Sequence, residues 1–439
     1  MPRLTLDEAH EALPHLEELR PIFDHLLAGS QPDPARMWSG SGRLGTLGSR
    51  LVLDGSLAGA AARLAQEQAG RLGEVYAAVA RALDALDAGD RGAAAGALLD
   101  AAALEERQDR PDRAEAYAEA AFRAARDGRD QGPAALSLRR WARAARALGK
   151  LPEAFDRYAR AHEASRAISD PRGAAEAALG AGNVLEDQGR WPEAAQWYHR
   201  ALEALDGEAD TTLDRCYALL NLHIVARSRG AIDESVSWLA RAEDAAKADP
   251  EEARPLIENA RGQLSMARGA FAEAETHLRG ALDVAVNARA RVTIRLNLAE
   301  TLLAQGLMLD AAEHAREAER EAILAGLVPK LPEVYRLLGR VASAEGDPDA
   351  LVFFERALEI IRERALPVLE EAQTLQVYAE AEARRGEEDA ARELRGTAQD
   401  RFRSLGITYM RQTWADVFSP DPNAAPLPDH RQVREHDEE

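Results

Sequence analysis

Residues 179–205 read LGAGNVLEDQGRWPEAAQWYHRALEAL, and this stretch decides the fold. It places a small residue, Gly182, seven positions before Gly189, and it places Ala194 five positions after that glycine. A related stretch, GQLSMARGAFAEAETHLRGAL, occupies residues 262–282. Each stretch predicts two helices that meet at a glycine turn and pack closely where their small residues lie.

The same pattern recurs along most of the chain. Seven turn glycines follow one another at intervals of 37 to 41 residues: Gly149, Gly189, Gly230, Gly269, Gly306, Gly346 and Gly386. The position seven residues earlier holds Ala142, Gly182, His223, Gly262, Ala299, Gly339 and Ala379. A period of this length is typical of stacked helix pairs, so we expect an all-α solenoid built from antiparallel helix pairs.

Composition shifts divide the chain into four segments. We expect short helices and a Gly-, Ser- and Pro-rich loop over residues 1–57, and the helical array over residues 58–404, with clear repeats from about residue 92. Residues 405–418 are apolar and aromatic and are predicted to form a capping helix, because a solenoid must cover its last exposed face. Residues 419–439 contain four prolines and a charged end, and they are predicted to be disordered.

The charge balance excludes several classes of partner. The formal net charge is −20, which disfavours nucleic acid and anionic membrane surfaces, because both attract basic faces. No stretch approaches the 18 apolar residues expected of a membrane span, and a single cysteine, Cys216, rules out an intramolecular disulfide. We therefore expect a cytoplasmic protein.

Motifs that carry catalysis are missing from the sequence. It contains no HExxH, GxSxG, P-loop or CxxC motif, and its histidines are scattered. A GxGxxG match at Gly40, Gly42 and Gly45 lies among prolines and further glycines rather than between a strand and a helix, so it indicates a flexible loop. We expect no catalytic residues, no cofactor and no metal site.

The two quoted stretches resemble the tetratricopeptide repeat (TPR), and the agreement runs from residue 92 to 404. His223, Ala315 and Arg395 depart from the pattern: His223 replaces a small residue, and the other two replace a bulky or aromatic one. The long period is similar to that of repeats in kinesin light chains, spindle-orientation adaptors, and bacterial peptide-response regulators and sensor arrays. The resemblance implies a bacterial protein with a right-handed superhelix whose inner face binds a peptide, a helix or a small effector.

The register of the repeats then identifies groove positions. Residues nine and six positions before each turn glycine lie about one helical turn apart on one face, and that face should point into the groove. The candidate partner-binding residues are Arg140, Arg143, Asn183, Asn221, Gln263, Asn297 and Arg340.

The chemistry of these residues suggests how a ligand would be held. Asparagine is a poor helix former, and its amide can bond the N–H and C=O of a peptide together. Arg139, Arg140, Arg143 and Arg146 form a basic stripe suited to carboxylates, although the stripe could instead form ion pairs with acids of the chain. Likewise, each asparagine could bond a neighbouring helix, and His223 could either line a pocket or be buried in the core.

Two functions follow from this reading. In the first, the chain is a non-enzymatic scaffold whose groove binds a segment of a partner protein, with an acidic group of the partner on Arg140 and Arg143. In the second, it is a sensor or regulatory module in which a small effector or signalling peptide changes the superhelical pitch and releases a partner.

Overall fold

The computed structural model describes residues 71–108, 110–209, 211–364 and 366–405. Across these ranges the chain forms 17 α-helices, one 3₁₀-helix and no strand, so the predicted all-α class is confirmed. The predicted segments 1–57 and 419–439 lie outside the described residues, as do residues 58–70 and nearly all of the predicted capping helix at 405–418. The division of the chain into four segments therefore stays a prediction.

Helix α1 spans Arg71–Asp87 and precedes a series of helix pairs, each made of a first helix, A, and a second helix, B. The A helices of pairs one to eight are α2 (Arg91–Arg107), α4 (Gln131–Ala147), α6 (Pro171–Asp187), α8 (Thr212–Ser228), α10 (Pro250–Ala267), α12 (Ala288–Ala304), α14 (Leu331–Glu345) and α16 (Val368–Arg384). The B helices are α3 (Pro111–Asp127), α5 (Leu151–Ala167), α7 (Trp191–Ala204), α9 (Ile232–Ala246), α11 (Phe271–Val284), α13 (Met308–Leu324), α15 (Ala350–Glu363) and α17 (Glu388–Ser404). The 3₁₀-helix, Val328–Lys330, lies between α13 and α14.

The seven turn glycines all adopt positive φ, with values from 69° at Gly189 to 85° at Gly386. In pair three, the N–H of Gly189 bonds the carbonyl of Glu186 and the N–H of Arg190 bonds that of Leu185, both at 2.8 Å. These bonds satisfy carbonyls that the end of α6 would otherwise leave open, and they require the left-handed conformation at the glycine. The recurrence of glycine is thus a requirement of the turn.

The small residues let a bulky side chain of helix B reach the backbone of helix A. A Cβ added at Gly262 would lie 2.5 Å from Cγ of Leu278, and one added at Gly339 would lie 2.6 Å from Cζ of Phe354. Gly182 lies under the ring of Tyr198 in the same way. The small residue four or five positions after each turn glycine is buried in every pair: Ala154, Ala194, Ser235, Ala274, Ala311, Ala350 and Ala391. Contacts between a small residue of one helix and a large residue of the other pack these pairs.

His223 is accommodated by a second departure from the pattern. It is fully buried, and its Nδ1 lies 2.8 Å from Oγ and 3.0 Å from the carbonyl oxygen of Ser235, which stands where other pairs have Ala. The imidazole therefore belongs to the core of pair four. Of the other two departures, Ala315 is buried, whereas Arg395 is exposed on the last helix.

The order of contacts explains the curvature of the array. Each A helix packs against the A helix of the next pair throughout the series from α2 to α16. B helices of neighbouring pairs, where the structure describes them, make at most marginal contact with one another. Because the A helices lie closer together than the B helices, the array bends into a superhelix with the A helices on its concave face.

Substituting Gly269 tests the requirement for a left-handed turn. Gly269 has a φ of 73° and open space around it, so Gly269→Ala adds only conformational strain. We expect a loss of about 1–2 kcal/mol in the free energy of unfolding. Gly280, in the interior of α11 with open space around it, is the matched control, and Gly280→Ala should stabilise by about 0.5–1 kcal/mol. Urea denaturation of both variants measures these changes, and a stabilised Gly269→Ala variant would contradict the prediction.

A second pair of substitutions tests the close approach of the helices. Gly339→Ala should destabilise the protein by about 1–3 kcal/mol, because the new Cβ overlaps the Phe354 ring. Adding Phe354→Leu should make the Gly339→Ala change less costly than it is alone. Thermal unfolding of the two single variants and the double variant forms the required cycle, and strictly additive losses would show that the two residues do not meet.

Candidate functional site: the concave groove

The predicted groove residues lie on A helices, which form the concave layer. Arg140 and Arg143 lie on α4, Asn183 on α6, Asn221 on α8, Gln263 on α10, Asn297 on α12 and Arg340 on α14. Most of them are half-buried, because neighbouring A helices cover their stems. Arg143 is the exception, with 61% of its side chain exposed.

The predicted asparagines meet other asparagines across the boundary between pairs. Asn221 Nδ2 donates to Asn183 Oδ1 at 3.3 Å, and Asn297 Nδ2 donates to Asn259 Oδ1 at 2.9 Å. In each amide pair, the NH₂ group of one asparagine and the carbonyl of the other take part in no hydrogen bond that the described residues show. Each amide pair thus retains a free NH₂ group and a free carbonyl in the A-helix layer.

The predicted basic stripe forms ion pairs in three directions. Arg140 and Arg143 both contact Glu106 Oε2, at 3.1 and 3.5 Å, which brings these two predicted residues together. Arg146 bonds Asp187 through Nε at 2.5 Å and Nη2 at 2.9 Å. Arg139 turns to the beginning of α6, where Asp170 and Glu176 lie 3.6 and 3.3 Å away.

Arg340 is held by the preceding A helix. Its Nη1 donates to Oε1 of Glu300 on α12 at 2.5 Å. On the same helix, Arg336 Nη1 bonds Glu370 at 2.9 Å and Thr374 at 3.2 Å, both on α16. Gln263 is half-buried on α10.

Together these contacts form a series of polar bridges between consecutive A helices, which we call rungs. The rungs are Glu106 with Arg140 and Arg143, Arg146 with Asp187, Asn183 with Asn221, Asn259 with Asn297, Glu300 with Arg340, and Arg336 with Glu370. Rung partners lie 34 to 41 residues apart, which is one repeat.

The candidate set from the sequence therefore missed the second member of most rungs. Glu106, Asp187, Asn259 and Glu370 are not among the predicted groove residues, because the repeat register relates each residue only to its own turn glycine. A signal was available: complementary polar residues recur at a separation of one repeat. What the repeat register did not show is which side chains bridge two pairs.

A buried polar cluster lies beside the first amide pair. Tyr198 Oη is 2.8 Å from both Asn183 Oδ1 and Glu186 Oε2. One hydroxyl proton cannot serve two acceptors, so one of these contacts needs a second proton. Burial, followed by the charge of Asp187, raises the pKa of Glu186 against the opposing effects of Tyr198, Arg146 and Arg227. A protonated Glu186 can donate to Tyr198, which in turn donates to Asn183.

Two further titratable groups lie on α8, the half-buried Arg227 and the fully buried His223. Burial lowers the pKa of Arg227, while the charges of Glu186 on α6 and Glu300 on α12 oppose this change. Burial, together with Arg227, lowers the pKa of His223 to about 4, so this imidazole is neutral at physiological pH.

Other site chemistries find no support in the described ranges. No group of three His, Cys, Asp or Glu side chains there gathers to hold a metal ion. None of the helices described is long and apolar enough to cross a membrane.

The raised pKa of Glu186 predicts a pH-dependent stability. A carboxyl whose pKa is raised on folding stabilises the protein below its ordinary pKa of 4.5, and this contribution is lost as pH rises through the raised value. Glu186→Gln keeps a donor and cannot ionise, so the variant should gain thermal stability relative to the natural chain as pH increases from 4.5 to 8. Glu163→Gln, at an exposed position on α5, is the control. Parallel pH profiles for all three proteins would contradict the assignment.

Comparison with known proteins finds a family whose sequence profile matches part of the chain. Residues 133–207 match the sequence profile of the family described as Tetratricopeptide repeat. No curated protein sequence matches the chain.

Solved structures are similar in fold at low sequence identity. The Rap conjugation gene regulator of the plasmid pLS20, in complex with the Phr* peptide, is 13% identical with a TM-score of 0.50, and the match covers 82% of this chain and 93% of that one. A tetratricopeptide repeat protein from Parabacteroides merdae is 17% identical with a TM-score of 0.42, covering 60% of this chain and 97% of its own. Yeast Tom70 is 15% identical with a TM-score of 0.44, covering 89% and 68%.

The profile match spans pair two, pair three and the turn between them, and the same glycine turns and small–large contacts continue through the following pairs. The fold of the Rap regulator, which covers most of the chain, agrees with that architecture. Residues 133–207 therefore match the tetratricopeptide repeat, and the described part of the chain continues the same helix pairs as a right-handed α-solenoid.

Proposed function

We propose that this protein is a non-enzymatic scaffold that binds an extended segment of a partner protein in its concave groove. The observation that carries this proposal is the geometry of the two amide pairs, Asn183 with Asn221 and Asn259 with Asn297. Each pair offers a free NH₂ group and a free carbonyl, which can bond the C=O and the N–H of one peptide group. Two such pairs along one groove suit an extended backbone, whatever its side chains.

Charge at the N-terminal end of the groove supports an acidic group on the partner. Arg140 is largely covered and lies 3.1 Å from Glu106, whereas the exposed Arg143 guanidinium lies 3.5 Å from the same carboxylate. An exposed guanidinium that shares its acid with another arginine retains N–H donors for a second carboxylate. We therefore assign Arg143 as the contact to the ligand and Arg140 as the residue that holds Glu106.

The segment between the amide pairs has a different character. Ile224 on α8 is half-buried at a groove position. An apolar side chain of the partner can contact Ile224 there. The fold itself accommodates a peptide, since the Rap regulator with the similar fold is a complex with the Phr* peptide.

The rungs also favour the second candidate function, a sensor module. Polar bridges between consecutive A helices exchange partners at lower cost than apolar contacts do, because water or a ligand can replace each bond. A peptide or small effector that replaces a rung would change the spacing of two A helices and so the superhelical pitch. Small-angle scattering with and without the bound partner separates the two functions, since a rigid scaffold keeps its radius of gyration.

Removing both amide pairs tests the groove as the binding site. Asn221→Ala combined with Asn297→Ala removes one member of each pair, and losing about one hydrogen bond at each should weaken partner binding by roughly tenfold or more. The measurement is quantitative mass spectrometry of proteins retained on the immobilised chain. Circular dichroism confirms that the variant is folded, and undiminished capture of the partner by a folded variant would refute groove binding.

A charge reversal tests the acidic contact. Arg140→Glu with Arg143→Glu should abolish capture of the same partner, because the groove would then repel its acidic group. Arg356→Glu with Arg362→Glu, on the outer face of α15, makes the same charge change away from the groove and should leave capture intact. Equal loss from both double variants would indicate a general effect of net charge.

A further inference from the structure

Trp191, the first residue of α7, packs in two different cores. It is half-buried and contacts the core of pairs two to four, which surrounds it in sequence. It also packs against the core of the last pair, formed by Ala372, Leu375, Ala398 and Phe402. That second core lies about 180 to 210 residues further along the chain.

The positions of these residues within their pairs show what the contact is. Trp191 lies at the edge of the array where helix A passes to helix B. Ala372 and Leu375 are in the N-terminal half of α16, and Ala398 and Phe402 in the C-terminal half of α17, so the core they form lies at the opposite edge of pair eight. Opposite edges of a solenoid meet only where the superhelix has completed a turn, so that one turn packs against the next.

The indole of Trp191 is the largest side chain at this position of the array. The residue two positions after the turn glycine is Leu151 in pair two, Ile232 in pair four, Phe271 in pair five and Met308 in pair six. Leu151 and Ile232 pack against cores of their own and adjacent pairs, whereas Trp191 also packs against the core of pair eight.

We propose that Trp191 is a latch between successive turns of the superhelix, and that its contact with the last pair sets the superhelical pitch. Helices α6 to α16 form the section that the latch closes. The groove residues Asn183, Asn221, Asn297 and Arg340 all lie on A helices within that section. The spacing of these side chains therefore depends on whether Trp191 is seated against pair eight.

The latch gives the groove a mechanism of regulation, a consequence that rests on the proposed function. A ligand that spreads or compresses the A helices between pairs three and eight must change the Trp191 contact. Conversely, a partner that covers Trp191 from outside would break its contact with pair eight. The superhelical pitch would then change, and with it the affinity of the groove for its ligand, because coupling between two sites is reciprocal.

The latch itself can be tested without any partner. Cysteines at Arg190 and Arg403, both exposed, carry spin labels in full-length protein in which the one native cysteine, the buried Cys216, is replaced by alanine. Pulsed dipolar spectroscopy should give one narrow distance distribution. Trp191→Ala should broaden it and move it to longer distances, and Phe402→Ala, on the other side of the contact, should do the same.

Trp238→Ala is the matched control, because Trp238 is also a half-buried tryptophan but packs only within cores near its own pair. Its distribution should equal that of the parent protein. If Trp191→Ala is poorly folded by circular dichroism, Trp191→Leu, which introduces the residue of pair two, replaces it. A Trp191 variant that is folded and keeps the parent distribution would overturn the latch.

The result of the distance measurement on the Trp191 variants can be told apart from a failure of the proposed function. The distance measurement concerns only the free chain, whereas the asparagine and arginine variants concern capture of a partner. A latch that opens in Trp191→Ala together with unimpaired capture by the Asn221→Ala, Asn297→Ala variant would support the latch and reject the groove site.

Discussion

The close approach of the two helices within each pair is the constraint from which the rest of the structure follows. At Gly182, Gly262 and Gly339, a ring or a leucine of helix B rests on the backbone of helix A, where not even a Cβ would fit. This contact sets the angle between the two helices, and the left-handed glycine turn sets where helix B begins. The turn is present in pairs two to eight, so helix B begins at the same place relative to helix A in each of them.

That constraint also shapes the groove. Because each A helix is tilted against its own B helix, neighbouring A helices approach one another along the inner layer, and their polar side chains come within bonding distance. The rungs are the result: carboxylates, guanidiniums and amides one repeat apart bridge consecutive helices. A groove assembled in this way is polar and largely satisfied, so a ligand must offer complementary groups where the bonding is incomplete, as at the amide pairs and Arg143.

The departure at pair four shows how the repeat tolerates variation. A buried His223 occupies a position meant for a small residue, and Ser235 supplies the hydrogen-bonding oxygen that an alanine could not. The change in one helix is matched by a change in the other, which gives Nδ1 of the buried ring a hydrogen-bonding partner. The reading of His223 as a core residue agrees with this geometry, and the low pKa of about 4 keeps the imidazole uncharged.

The sequence by itself determined the helix pairs, the turns and the layer that faces inward. These depend on local rules, namely glycine at positive φ and a small residue at a fixed distance from it, and most copies of the repeat follow them. The partners of the groove residues were decided only by the tertiary structure, because a rung joins two pairs and depends on the angle between them. The same holds for Trp191, whose second contact lies about 180 residues away and exists only because the small rotations between successive pairs add up to a turn of the superhelix.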